Sequence, residues 1–137
     1  MTTLTARPSR ALHLTLWALQ VLLAAAFLMT GVTKLITPIL QLAQQMAWVS
    51  DVPAGLVRFI GLAEVAGALG LILPSLTRIR PNLTPLAALC LIAVMVLASA
   101  FHLSRGEPTV LPMNLALAVV AGLIAWGRAR RAPIQAR

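Results

Sequence analysis

Glu64 is the residue with the clearest chemical potential, because it is a lone carboxylate about halfway along the apolar run 55–73. An unpaired ionised carboxylate is costly to bury in an apolar medium. Glu64 is therefore protonated, paired with a base from a neighbouring helix, or exposed to a wet cavity. Each of these states makes it a candidate functional residue.

Other polar residues lie near the ends of the apolar runs. Lys34 ends the first run, Arg58 precedes Glu64 in the second, His102 ends the third and Asn114 begins the fourth. In an up-and-down arrangement these positions meet at one membrane leaflet, and helical side chains lean toward the N-terminus of their own helix. We therefore predict a Lys34–Glu64 pair, with His102 and Asn114 completing its hydrogen bonds.

Arg58 is the competing partner for Glu64. The two residues are six positions apart, about 240° around a helix, so they do not share a face. Lys34 is accordingly favoured over Arg58. Two interpretations of the polar set stay open: a structural clamp that selects which helices pack together, or a site that contacts a ligand, a proton, a quinone or a partner protein.

Glycines surround Glu64 at spacings that allow close helix packing. Gly61, Gly67, Ala68 and Gly70 lie in the same run, in which glycine or alanine recurs at three- and four-residue spacing. Small residues at such spacings let the backbones of membrane helices approach each other. We expect these three glycines to lie in helix interfaces.

Known catalytic patterns are missing from the sequence. There is no Ser-His-Asp order, phosphate-binding loop or pair of close carboxylates, and His102 lacks companions at metal-ligand spacing. Cys90 is the single cysteine, which excludes an intramolecular disulfide or dithiol, and we expect it to be a small packed thiol. The sequence gives no catalytic residue, no metal site and no self-contained enzyme.

The composition is that of an integral membrane protein, with 60% hydrophobic and 10% charged residues in a chain of 137. Four apolar runs are long enough to span a bilayer. We predict an all-α bundle of four transmembrane helices in a single domain, with a short interfacial helix at about 38–49. The predicted spans are residues 12–35, 55–73, 84–103 and 110–126.

Several residues predict where these helices begin and end. Pro74 closes the second run, Thr84 caps the third with Pro85 at its first helical position, and Pro112 is tolerated in the first turn of the fourth. The first run is longer than the core of a cleavable signal and is predicted to be retained as a span. Trp17, Trp48 and Trp126 suit interfacial anchors.

The basic residues behind the net charge of +8 are distributed as expected for a membrane protein, mostly between and beyond the apolar runs. They do not form the clustered face that is typical of a nucleic-acid-binding protein. The positive-inside rule predicts that both termini and the 78–80 turn are cytoplasmic, which leaves only Lys34, Arg58 and Arg105 on the outer side. No nucleic-acid partner is expected. The basic residues on the predicted cytoplasmic side are Arg7, Arg10, Arg78, Arg80, Arg128, Arg130, Arg131 and Arg137.

Three segments resemble the DoxX-like family of small four-helix membrane proteins. They are FLMTGVTKL at 27–35, GLAEVAGALGLILP at 61–74, and His102 followed by Arg105-Gly106-Glu107. The resemblance puts Lys34, Glu64 and His102 at recurring polar positions of the family. Some members are described as membrane subunits of thiosulfate:quinone oxidoreductase or of assemblies linked to oxidative and thiol stress, and distant animal relatives assist receptor assembly.

The resemblance implies a multi-pass protein of the bacterial inner membrane. Its expected role is a non-catalytic membrane subunit or assembly factor of a redox complex, with a quinone or a redox protein as partner and with homo-oligomers as a further option. The alternative is a small proton-coupled exporter of cations or drugs, since four spans with one membrane carboxylate can bind a cation and a proton in turn. Basic partners beside Glu64 would compete with a cationic substrate, which disfavours export.

Overall fold

The computed structural model describes residues 8–137, and every regular element in that range is helical. Four of the helical segments are long and apolar enough to cross a membrane, which confirms the predicted all-α architecture. Arg7, which is predicted to be cytoplasmic, lies outside the described residues. The main helices are α1 (Arg10–Ile36), α2 (Ile39–Gln45), α3 (Ala54–Thr77), α4 (Leu83–Ser104) and α5 (Leu111–Trp126). Short 3₁₀ helices occur at Ala47–Asp51 and Pro108–Val110, and a π-helical turn at Gly127–Arg131 follows α5.

The four long helices pack side by side in alternating directions, with α1 against α3, α3 against α4 and α4 against α5. The core between them is aliphatic and aromatic, and includes the buried side chains of Leu23, Phe27, Leu71, Leu91 and Ile124. We call the end where α1 and α4 finish the Lys34 end. The opposite end, where α3 and α5 finish, is the Arg128 end.

The glycines of α3 lie in its interfaces with both neighbours. A Cβ atom at Gly67 would lie 2.5 Å from a methyl carbon of Leu91, and one at Gly70 would lie 2.7 Å from the Cβ of Ala87, both on α4. Gly61 faces α1 instead. The absence of a side chain at these positions is what allows α3 to pack closely between two helices.

Pro74 does not end α3, contrary to the sequence prediction. The helix continues to Thr77 and stops at Arg78, whose φ of 61° lies in the left-handed region. A proline in the last turn removes only one backbone donor. Pro74 and Ser75 are both buried, and their packing stabilises the last turn of the helix.

Thr84 is not the cap of α4. The helix begins at Leu83 after Asn82, and Thr84 is buried in its first turn. The Thr84 hydroxyl lies 2.8 Å from the Ser75 hydroxyl and so joins α4 to α3 instead of capping its own helix. Pro85 still falls in the first turn, where its missing N–H costs little.

Cys90 is exposed on α4, contrary to the expectation of a packed thiol. The buried residues of α4 include Ala88, Leu91 and Met95, whereas Cys90 shares the outward face with Leu86 and Leu89. In a bilayer this face contacts lipid. The apolar residues around Cys90 in the sequence therefore did not indicate that its side chain is packed inside the protein.

The segment between α1 and α3 is two short helices instead of one helix over 38–49. α2 ends at Gln45, Met46 is extended, and the chain resumes as the 3₁₀ helix Ala47–Asp51. Leu42 and Val49 are buried against Val57 of α3 and form a small second core at the Lys34 end. Tight 3₁₀ turns are common in such short connectors.

Candidate functional site

Lys34 and Glu64 form a buried ion pair at the Lys34 end. The Lys34 ammonium nitrogen lies 2.8 Å from Glu64 Oε2 and 3.0 Å from Oε1, and the two side chains are only 8% and 6% exposed. The Thr30 hydroxyl, one turn before Lys34, donates to Oε2 at 3.2 Å. Glu64 is therefore paired with a base from a neighbouring helix, as one of the three sequence interpretations expected.

Arg58 contacts the backbone near this pair but not the carboxylate. Its guanidinium donates to the main-chain carbonyl of Lys34. That carbonyl is in the last turn of α1, where the helix leaves acceptors unpaired and where a cation is favourable. Arg58 therefore joins the start of α3 to the end of α1 and leaves Glu64 to Lys34.

His102 does not hydrogen-bond to the Lys34–Glu64 pair, contrary to the prediction. Its Nδ1 lies 2.7 Å from Glu107 Oε2, and Arg105 Nε donates to Glu107 Oε1 at 3.1 Å. Gly106, with φ of 71°, reverses the chain after α4, and the Glu107 amide donates back to the His102 carbonyl at 2.9 Å. The tight turn supplies a nearer carboxylate than Glu64.

Glu107 is held ionised by its neighbours. The hydrogen bonds from Arg105 and then from His102 keep the pKa of the Glu107 carboxyl below its ordinary range. Because an ionised carboxylate can only accept, the His102 ring donates to it from Nδ1, and Nε2 is left for other contacts. In the sequence, the Arg105-Gly106-Glu107 segment was notable only for its resemblance to the family.

Asn114 also has a partner other than the ion pair. Its side-chain amide donates to Ser99 Oγ at 3.3 Å, and the Ser99 hydroxyl donates to the Met95 carbonyl at 2.8 Å. This chain of bonds runs between α4 and α5. Asn114 and His102 therefore lie near Lys34 and Glu64 without bonding to them.

The connector before α3 is fastened to the end of α4 by polar and aromatic contacts. Asp51 forms an ion pair with Arg105, and the ring of Trp48 meets that of Phe101 edge to face at a centroid distance of 6.1 Å. The Arg105 guanidinium lies 5.6 Å from the centre of the Phe101 ring. Arg105 thus joins the connector, the aromatic pair and the Glu107 turn.

A cavity of about 510 Å³ lies beneath this connector. Five polar side chains line it: Thr30, Lys34, Glu64, His102 and Asn114. Most of the other lining residues are apolar, and they include Phe27, Met46, Trp48, Leu56, Phe59, Ile60, Met95, Phe101, Met113 and Leu117. The structure thus brings four of the five residues selected from the sequence around one cavity, and Arg58 is the exception.

The cavity has polar groups that could hold a ligand but no metal centre. Within residues 8–137, no three His, Cys, Asp or Glu side chains come together as a metal site. What the lining offers is one Lys34 ammonium, the His102 ring, the Thr30 hydroxyl and the Asn114 amide, set in an apolar wall. Such an arrangement suits a lipophilic molecule with a hydrogen-bonding head.

Sequence reasoning missed a second buried polar cluster, at the Arg128 end. Gln20 is completely buried in α1, and its amide donates to the Leu71 carbonyl at 2.6 Å. Arg128 donates to the Gln20 side-chain oxygen at 2.5 Å and is itself only 3% exposed. The sequence feature that could have indicated this cluster is Gln20, a lone amide in the middle of the first apolar run.

Comparison with known proteins places this architecture in a family. No curated protein and no solved structure matches the chain. The model of the DoxX-like family matches residues 18–124, which include all four long helices in large part, the ion pair and the cavity. The chain therefore belongs to the DoxX-like family.

Proposed function

We propose that this protein is a non-catalytic subunit or assembly factor of a redox complex in the bacterial inner membrane. In this proposal its cavity binds the head of a neutral lipophile of the quinone class. The observation that carries the proposal is the cavity itself: about 510 Å³, mainly apolar, with five polar side chains on its wall. Its volume falls in the usual range of small-molecule sites, about 300–1,000 Å³.

The charges at the Lys34 end favour a neutral ligand. All three acidic side chains are there, and they are balanced by Lys34, Arg58 and Arg105. A cationic substrate would have to displace Lys34 from Glu64 and leave an ammonium unpaired in an apolar surround. This balance supports a quinone-like ligand over the cation that a proton-coupled exporter would carry.

Several hydrogen-bonding atoms remain for such a ligand. Lys34 has three N–H donors and uses two contacts on Glu64. His102 uses Nδ1 for Glu107, so Nε2 remains for a contact with the ligand. A quinone carbonyl can accept from Lys34, and the hydroxyl of the reduced form can hydrogen-bond to His102. Electron transfer itself is assigned to a partner protein of the complex.

Native mass spectrometry of gently extracted protein tests this proposal by counting bound quinone and co-purifying subunits. We expect Glu64→Gln to retain at least tenfold less quinone, because Lys34 is then no longer held in place. A tenfold decrease corresponds to about 1.4 kcal/mol of binding free energy. Asn114→Leu is a second variant that keeps the ion pair, and it should also reduce retention. Arg80→Gln, exposed at the opposite end, is the control. Undiminished quinone in both cavity variants would refute the proposal.

A further inference from the structure

Arg128 is a buried cation at the opposite end of the molecule from the cavity. Its guanidinium donates to Gln20 Oε1 at 2.5 Å, to the Ala132 carbonyl at 3.2 Å and to His13 Nδ1 at 3.1 Å. It also lies 5.5 Å from the centre of the Trp17 ring. All of these neighbours are neutral acceptors or an aromatic face, so none cancels its charge.

One nitrogen of this guanidinium, Nη2, is buried without a hydrogen-bond partner among the described residues. The three acidic side chains, Asp51, Glu64 and Glu107, are at the Lys34 end. From His13 to Lys34, α1 alone covers about 32 Å, at 1.5 Å per residue. A buried, uncompensated charge with a free donor is expensive, and an anion from outside the chain would relieve it.

A groove of about 360 Å³ adjoins this cation. His13 and Trp17, which both contact Arg128, lie in its wall together with Ser75 and Arg78. The rest of the wall is formed by Pro8 and by residues 133–135, which directly follow Ala132. The Gln135 carbonyl accepts from Arg78 Nε at 2.9 Å. Arg78 thus lines the groove, and the buried Arg128 lies behind its wall, in contact with His13 and Trp17.

We propose that Arg128 and Arg78 form a binding site for a phosphate group, supplied by an acidic phospholipid or by free phosphate. Guanidinium groups match the oxygens of phosphate in charge and in fork geometry. The site lies where the spans end, at the depth of lipid headgroups, and basic pockets between helices bind such heads. For a phosphate oxygen to reach the buried Nη2, residues 133–135, which line the groove, would have to shift. This site is independent of the cavity and of the function proposed for it.

The test uses the full chain in nanodiscs of phosphatidylcholine with phosphatidylglycerol, followed by native mass spectrometry of the lipids that stay bound. We expect the wild type to retain phosphatidylglycerol, and Arg128→Gln to retain about tenfold less, as for the loss of a charge-assisted hydrogen bond. Arg130→Gln makes the same change of charge at an exposed position of the same turn and should retain as much as the wild type. Equal losses in the two variants would overturn the proposal, since they would indicate general attraction to acidic lipid.

A second measurement needs only the wild type and covers the case in which Arg128→Gln does not fold. The thermal midpoint in detergent is recorded with short-chain phosphatidylglycerol, with phosphatidylcholine, and with inorganic phosphate against chloride at equal ionic strength. A rise with phosphatidylglycerol alone identifies the lipid as the source, and a rise with inorganic phosphate alone identifies the soluble anion. If neither raises the midpoint above its neutral or chloride reference, the phosphate site is disproved.

Discussion

Gly31 of α1 and Gly61 of α3 face each other so closely that a side chain on either would strike the backbone of the other. A Cβ atom at Gly31 would lie 2.8 Å from the Gly61 carbonyl oxygen, and a Cβ atom at Gly61 would lie 2.8 Å from the Gly31 carbonyl oxygen. Lys34 is one turn after Gly31, and Glu64 is one turn after Gly61. This contact sets the helix separation at which the ion pair forms.

Gly61→Ala should destabilise the protein, because the added methyl meets backbone that cannot move without separating α1 from α3. It would also lie 2.9 Å from the Cβ of Lys34. We expect a loss of about 1–3 kcal/mol, the usual range for overpacking, seen as a lower thermal midpoint in detergent. Gly55→Ala is the control in the same helix, since a Cβ there has no neighbour within 4 Å. It should be neutral or slightly stabilising, and an equal loss in both variants would contradict the packing argument.

Removal of both ionic partners should cost much less than the sum of the two single removals. Lys34→Met leaves a buried carboxylate and Glu64→Gln leaves a buried ammonium, and each is expected to cost about 3–5 kcal/mol. In the double variant no unpaired charge remains, so its loss should be well below the sum of the two. Thermal or denaturant unfolding of the four proteins gives the coupling energy. Additive losses would mean that the two side chains do not depend on each other.

Gln20→Leu should destabilise the Arg128 end, although it replaces a polar residue in an apolar helix by an apolar one. The substitution removes the acceptor for Arg128 Nε and the donor to the Leu71 carbonyl. Leaving such buried groups unpaired costs about 1–3 kcal/mol each. Gln44→Leu, at an exposed position of α2, is the control. If the two variants unfold at the same temperature, the buried network does not contribute to stability.

Acid should weaken the turn after α4 through Glu107. Its folded-state pKa is lowered from 4.5 by Arg105 and His102, so its stabilisation is present above about pH 4.5 and is lost as the pH falls through the lower folded-state value. The pKa of Arg105 is raised, chiefly by its bonds to Glu107, so Arg105 stays charged throughout this range. The difference in thermal midpoint between wild type and Glu107→Gln should be largest near neutral pH and should vanish in acid. A difference that does not change with pH would exclude ionised Glu107 as its source.

Hydropathy and side-chain direction were enough to predict the helices and the Lys34–Glu64 contact. The apolar runs are long, and a lysine and a glutamate at the same depth in an apolar surround have a strong energetic reason to meet. The predicted helix ends were less accurate. From the local sequence alone, Pro74 was interpreted as the end of the second helix and Thr84 as the N-cap of the third. Tertiary contacts between α3 and α4 decided both positions.

The partners of His102 and the burial of Arg128 were beyond sequence reasoning for different physical reasons. His102 bonds to Glu107 because the left-handed Gly106 folds the turn back onto α4, and a turn conformation is not visible in hydropathy. The positive-inside rule treats every terminal arginine alike. It gave no sign that Arg128 lies inward against Gln20 while Arg130 stays exposed.

The balance of charge at the Lys34 end bears on how the protein inserts. In a membrane that is negative inside, moving one positive charge outward requires about 2.3 kcal/mol per 100 mV. With the predicted topology the Lys34 end is translocated, and its three cations cross with three carboxylates, so voltage does not oppose the step. The other end carries the whole net charge of +8. An energised membrane would therefore resist the inverted orientation and favour the predicted one.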